Sequence, residues 1–275
     1  MTHQCKIHRH FADTDFGQLH YYAAGSAQNP ILLLLHQAPS SGEMFLPVMS
    51  HLMDNYYCIA PDLPGFANSF AINSSQHTIA FYGDCIRQLV SELMTEHNMH
   101  QYYLLGHHTG AAVASYMAAT DEHVKALILS GPTLLPDPIR ASLADSVSRL
   151  SSGNCADDLQ VLWHYIRGKD PQIDVSISQR DFCIALALGD DYPLVYQAVA
   201  DFTCHDYMQK IVCATLVFAG SRDALHEYVP LTLKAISSST YIDVGDSNTY
   251  VFETHSEKVA KIISKFLGSD DGFSA

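Results

Sequence analysis

A chain of 275 residues with 48% hydrophobic content is long and apolar enough to bury a sizeable core, which excludes a disordered segment. Its formal charge of −14 repels polyanions, so nucleic acid and anionic bilayer surfaces are excluded as partners. Seven cysteines without a Cys-x-x-Cys pair and sixteen histidines without a His-x-x-x-His spacing predict neither a disulfide framework nor a metal site.

Along the chain, residues 5–24 alternate in polarity around a break at Asp13-Thr14-Asp15-Phe16-Gly17, which predicts a two-stranded antiparallel start. Residues 31–35, 57–60, 102–105, 126–129 and 216–219 are short, continuous apolar runs, the pattern of parallel strands covered on both faces. Amphipathic stretches of helical length lie at 42–53, 77–97, 111–120 and 256–267. Strand and helix therefore alternate, and the expected architecture is α/β, a mostly parallel sheet with helices on both sides. The longest apolar run, 31–35, is too short to cross a membrane, and residues 1–6 lack the charged and apolar regions of a secretory signal. A soluble, cytoplasmic protein with reduced thiols is expected.

The alternation fails between about 134 and 206, where Pro136 and Pro138 open a region with helical periodicity at 139–150, 159–166 and 181–188. We expect a helical insertion over 134–206, after the sixth strand, between core segments 1–133 and 207–275. In open α/β sheets that position lies above the carboxyl edge, where ligands bind. Its aromatics, Trp163, Phe182, Tyr192, Tyr196 and Phe202, are candidates either to line a pocket or to pack within the insertion. Packing accounts for most of them, and Trp163 is retained as a candidate substrate contact.

The most informative stretch is Tyr102-Tyr103-Leu104-Leu105-Gly106-His107-His108-Thr109-Gly110-Ala111-Ala112. It has the layout of a nucleophile elbow: an apolar strand, a glycine two residues either side of a central side chain, then a small-residue helix. The central residue is His108, where a serine is usual. Other segments reinforce the pattern, namely Leu32-Leu33-Leu34-Leu35-His36-Gln37-Ala38-Pro39, Ala60-Pro61-Asp62-Leu63-Pro64-Gly65-Phe66-Ala67-Asn68-Ser69 and Leu216-Val217-Phe218-Ala219-Gly220-Ser221-Arg222-Asp223. On these motifs the chain resembles capped α/β-hydrolase-fold proteins of the esterase and C–C hydrolase type, over essentially its whole length.

The resemblance implies an eight-stranded sheet with a helical cap, an oxyanion hole made by the main-chain N–H groups of Ala38 and Thr109, and a triad acid at Asp223. It assigns His36 a structural part. The family's histidine loop corresponds to residues 244–253, and counting back from Glu253 puts Asn248 where that histidine belongs. The triad positions thus read His108, Asp223, Asn248, and Ala67 replaces the second glycine of the Asp-x-x-Gly-x-Gly loop.

The serine nucleophile and its base are both missing, so the ordinary acyl-enzyme route is in doubt. An imidazole side chain has a reference pKa of about 6.5 and is largely neutral at pH 7, so His108 could serve as base or nucleophile unaided. We expect Asp223 to orient it directly or through water, Asn248 to bond substrate or that water, and Gln37 either to contact substrate or to bond within its turn. The leading expectation is a hydrolase of a small ester, lactone, amide or carbonyl compound, without cofactor. The alternatives are a ligand-binding protein on a degenerate scaffold and a cofactor-free lyase or oxygenase.

Overall fold

The computed structural model describes residues 6–147 and 156–268. Cys5, Cys155 and the last three residues of the predicted 139–150 helix lie outside them. Eight strands form one sheet: β1 (His8–Thr14), β2 (Gly17–Ala24), β3 (Ile31–Leu35), β4 (Tyr57–Pro61), β5 (Tyr102–His107), β6 (Val124–Ser130), β7 (Ala214–Phe218) and β8 (Ser239–Tyr241). Their spatial order is β1-β2-β4-β3-β5-β6-β7-β8. The β1–β2 hairpin is antiparallel from His8 opposite Ala23 to Thr14 opposite Gly17, and β2 is antiparallel to β4. Every pairing from β4 to β8 is parallel, as the continuous apolar runs predict.

The pleat sends alternate residues of each strand to opposite faces, and each face carries its own core. Ile31, Leu33 and Leu35 of β3, with Leu104 of β5 and Leu127 and Leu129 of β6, join one cluster. Leu32, Leu34, Leu105 and Ile128 join the other. Helices α2 (Ile79–Glu96) and α3 (Thr109–Thr120) cover the first face, while α1 (Leu46–Leu52) and the C-terminal helix contribute to the second. In α2 the Thr78 hydroxyl caps the Phe81 N–H at 3.1 Å, and Ile79, Tyr82, Ile86, Leu89, Val90 and Leu93 form the buried stripe.

Between β6 and β7 the chain runs through α4 (Asp137–Ala141), α5 (Leu143–Val147), α6 (Ala156–Gly168), α7 (Val175–Leu188), α8 (Tyr192–Asp201) and α9 (Cys204–Met208). These helices have a small core of their own around Val147, Leu162, Ile166, Ala185 and Tyr192. They are also seated on the main body, because Ile184, Val195, Ala198 and Phe202 belong to the first large cluster. After β7 follow α10 (Val229–Ala235), β8, α11 (Val251–Thr254) and α12 (Ser256–Gly268). Among the described residues, no helix is long and apolar enough to cross a membrane.

Two further contacts shape the carboxyl edge of the sheet. Asp62, at the end of β4, accepts from the Gly42 N–H at 2.9 Å, the His20 ring at 2.9 Å and the Asn68 N–H at 3.1 Å. His36, at the end of β3, bonds the Gln37 carbonyl through Nδ1 at 2.8 Å and accepts from the Leu63 N–H through Nε2 at 2.9 Å. Both ring nitrogens are thereby satisfied in the neutral form, and burial holds its pKa down at about 4 against the attraction of Asp62.

Candidate active site

Strand β5 and helix α3 cross so closely that side chains are excluded at the crossing. A Cβ on Gly106 would collide with the Gly110 carbonyl, and one on Gly110 with the carbonyl of Leu35 on β3. The chain turns from strand to helix in one residue, and that residue is His108, with φ 48° and ψ −111°. A positive φ on a side-chain-bearing residue costs about 1–3 kcal/mol and persists only where the surroundings impose it. The surroundings here are the crossing itself and the His108 N–H donated to the Ser130 carbonyl at 3.0 Å.

The imidazole of His108 reaches the end of β7, where its Nε2 lies 2.8 Å from Asp223 Oδ2. An ionised carboxylate can only accept, so Nε2 carries the proton and Nδ1 keeps the lone pair when the ring is neutral. The second oxygen of Asp223 accepts from the Leu225 N–H at 2.8 Å. Burial works to raise the Asp223 carboxyl, but the charge and hydrogen bond of His108, the His107 ring and the Leu225 N–H outweigh it and hold it below the usual range. The orientation of His108 by Asp223 is thus direct.

The ring fits because residue 131 has no side chain. A Cβ on Gly131, just beyond β6, would overlap Cδ2 and Nε2 of His108. Behind it lies His107, whose ring centroid is 4.3 Å from that of His108. His107 donates from Nε2 to the Thr249 carbonyl at 2.8 Å and accepts the Ser130 hydroxyl on Nδ1 at 3.0 Å. Burial, then the neighbouring His108, push its pKa down to about 3. His107 is a neutral wedge between β6 and the 244–250 loop.

A cavity of about 320 Å³ opens over His108, between the carboxyl ends of the strands and the α4–α9 helices. Ala38 and Thr109 line it, and among the described residues neither main-chain N–H has a hydrogen-bond partner. Gln37 also lines it: its Oε1 accepts the Thr249 hydroxyl at 2.5 Å, while its buried Nε2 has no partner among the described residues. Asn248 reaches the cavity wall but not the dyad. Its Nδ2 donates to Asp170 Oδ2 at 2.7 Å and its Oδ1 accepts from the Tyr250 N–H at 3.0 Å, so its amide joins the loop to the α6–α7 connection. Trp163 lies away from the cavity lining and packs edge-on against Phe182, with ring centroids 5.6 Å apart. The aromatics that do face the cavity are Tyr165 and Tyr196.

The roof is joined to the floor by charge. Arg180 of α7 holds Asp181 and Glu253, each at 2.9 Å, with Glu253 on α11. Burial pushes Glu253 up to about 7 despite that guanidinium. Sequence reasoning did not single out Gly131, His107, Tyr165, Lys169 or Arg180. Of these, only the Gly131 that follows an apolar strand left a recognisable trace. Among the described residues no group of three or more His, Cys, Asp or Glu side chains has the arrangement to hold a metal ion.

Comparison with known proteins agrees with the fold. A family model described as the alpha/beta hydrolase fold matches residues 30–154. Monoacylglycerol lipase abhd6-B of Xenopus laevis is 25% identical over 282 residues, spanning 90% of this chain and 79% of that protein. Among solved structures, epoxide hydrolase CorEH superposes with a TM-score of 0.76 at 21% identity, covering 96% of this chain and 99% of that one. The esterase EaEST from Exiguobacterium antarcticum gives a TM-score of 0.76 at 18% identity, covering 94% and 99%. With its sheet order and its strained strand-to-helix apex, the chain has the α/β-hydrolase fold.

Proposed function

We propose that this protein is a hydrolase of a small ester, lactone, amide or related carbonyl compound, and that it works from His108 instead of a serine. The observation that carries the reading is the 2.8 Å bond from His108 Nε2 to Asp223 at the apex of the elbow, beside a cavity. Asp223 holds the proton on Nε2, which leaves Nδ1 as the base. Nδ1 takes a proton from water as the hydroxide adds to the carbonyl carbon. The Ala38 and Thr109 N–H groups receive the resulting oxyanion, and its collapse expels the leaving group, which takes the proton back from the imidazolium. Gln37 Nε2 offers a further donor to substrate, and Asn248 shapes the wall. In this reading segments 1–133 and 207–275 are the core and 134–206 is a cap domain that closes over the substrate, with Trp163 stiffening the cap through Phe182. Because Cys58, Cys85, Cys183, Cys204 and Cys213 are free thiols, a reducing, cytoplasmic setting suits the chain.

A panel of nitrophenyl esters, lactones and 1,3-diketones assayed on wild type and His108→Ala tests this. Loss of one positioned base lowers turnover by about 10²–10⁴-fold. Activity that survives the substitution unchanged would dismiss the reading. Single-turnover mass spectrometry separates the two chemical routes, because water activation leaves no acyl group on His108 while direct attack by the ring would.

A further inference from the structure

The cavity differs in charge from the chain that builds it. The protein has 29 Asp and Glu residues against 15 Lys and Arg. Yet among the described residues that line the cavity there is no carboxylate, and there are two cations, Lys169 and Arg222. Arg222 is more than half exposed and is already engaged by Asp246 at 2.5 Å, so its charge is largely spoken for. Lys169 is different. It follows α6 within the helical segment, and its Nζ stands 5.6 Å from the centre of the Tyr165 ring. Among the described residues its Nζ makes no hydrogen bond or ion pair. Asp181 attracts it from beyond ion-pair distance, but Asp181 is itself bound to Arg180. Burial lowers the Lys169 pKa and Asp181 only partly offsets this.

An ammonium half-removed from water without a hydrogen-bonded anion is unfavourable, and a ligand that supplies the anion recovers that loss as affinity. The remaining lining sets the rest of the ligand. Leu135, Leu143, Val199 and Leu225 make an apolar wall, and Tyr165 and Tyr196 a polarisable one. About 320 Å³ is at the small end of ligand cavities. A single point cation suits a carboxylate, whereas a phosphate would call for several donors or an Arg fork.

We infer that the substrate is a carbonyl compound bearing a carboxylate on a short apolar spacer, with Lys169 binding that carboxylate while His108 faces the carbonyl. This rests on the hydrolase reading above for its second half, and on the cavity's charge alone for its first. The helical segment thereby supplies specificity and the elbow supplies chemistry.

The test compares 4-nitrophenyl hydrogen glutarate with 4-nitrophenyl valerate, two esters of equal chain length that differ in a terminal carboxylate. Wild type is expected to favour the glutarate in kcat/KM by about 10- to 100-fold, the range of one charge-assisted hydrogen bond. Lys169→Met is expected to erase that preference through KM, and Lys169→Arg to keep most of it. Titration calorimetry with glutarate and with inorganic phosphate reads binding without turnover: heat with glutarate that is lost in Lys169→Met is expected. Binding of glutarate without hydrolysis of any ester would uphold the carboxylate site and overturn the hydrolase reading. Equal use of the two esters, a Lys169→Met variant that loses stability but keeps the preference, or binding of phosphate in place of glutarate would overturn the carboxylate site.

Discussion

Two histidine–aspartate pairs stand at the same edge of the sheet, and they differ in their access to the cavity. His20 and Asp62 are 2.9 Å apart with side chains 1% and 0% exposed; His108 and Asp223 are 2.8 Å apart with 19% and 1%. The distances are alike. Asp62, however, spends its oxygens on the backbone of Gly42 and Asn68 as well, so the pair is a buried clasp between the hairpin and the loop after β4. Asp223 spends one oxygen on Leu225 and the other on a partly exposed ring that lines a cavity. In the proposed reading, access and not pairing separates a fastener from a reactive group.

Asparagine at 223 and alanine at 62 should break the comparison in opposite directions. Asp223→Asn keeps the shape but removes the acceptor that fixes the Nε2 proton, and the ester rate is expected to fall by about 10²–10⁴-fold. Asp62→Ala strands the His20 ring and two main-chain N–H groups, and the urea midpoint should register a loss of about 3–5 kcal/mol. Folded Asp62→Ala protein should hydrolyse at nearly the wild-type rate; a rate as low as that of Asp223→Asn would erase the distinction drawn between the pairs.

Proton linkage sharpens the same contrast at the level of single groups. Folded His107 and His36 have pKa values of about 3 and 4, against about 6.5 when unfolded. The unfolded chain therefore binds more protons below pH 6.5, and stability is lost as pH falls through that interval. Glu253, at about 7 against an ordinary 4.5, acts in the other sense and its contribution declines as pH rises from 4.5 to 7. Each group contributes at most about 1.4 kcal/mol per pH unit. His107→Gln should flatten the slope of unfolding free energy between pH 6.5 and 4.5, and Glu253→Gln should steepen it. Slopes parallel to wild type would refute the assignment.

The smallest effect concerns backbone strain. Ala67 in the Asp62 loop and His108 at the apex hold φ of 46° and 48°. Ala67→Gly should stabilise by about 0.5 kcal/mol, because relief of the left-handed strain slightly exceeds the added freedom of the unfolded chain. Activity should not change, because among the described residues none of this loop lines the cavity. A destabilised Ala67→Gly protein would show that this loop is not strained.

Much of this molecule is legible in its residues, for identifiable reasons. β3 to β7 are buried on both faces and therefore read as unbroken apolar runs, with ends that differ from the structure by one or two residues. β8 is only Ser239–Tyr241, polar and partly exposed, and carries no such signal. The contact of His108 with Asp223 is readable because the strand-to-helix turn and the acid after β7 sit at fixed points of the fold. Asn248 is not, since its partner Asp170 is 78 residues away in the chain and on the helical segment. Trp163 on α6 and Lys169 just after it are hard to place for one shared reason: helical periodicity discloses which face is buried but not what covers it. A lone lysine in a polar stretch looks solvated until the surrounding fold is known.

The missing side chain at Gly131 defines a flat slot, bounded by β6 and ending at the carboxylate of Asp223, that the ring of His108 occupies. Since the main chain at 108 already favours glycine, His108→Gly would empty this slot without disturbing the bend. Imidazole added to the buffer has the shape and the N–H to settle there, so the protein carries a built-in receptor for chemical complementation of its own deleted side chain.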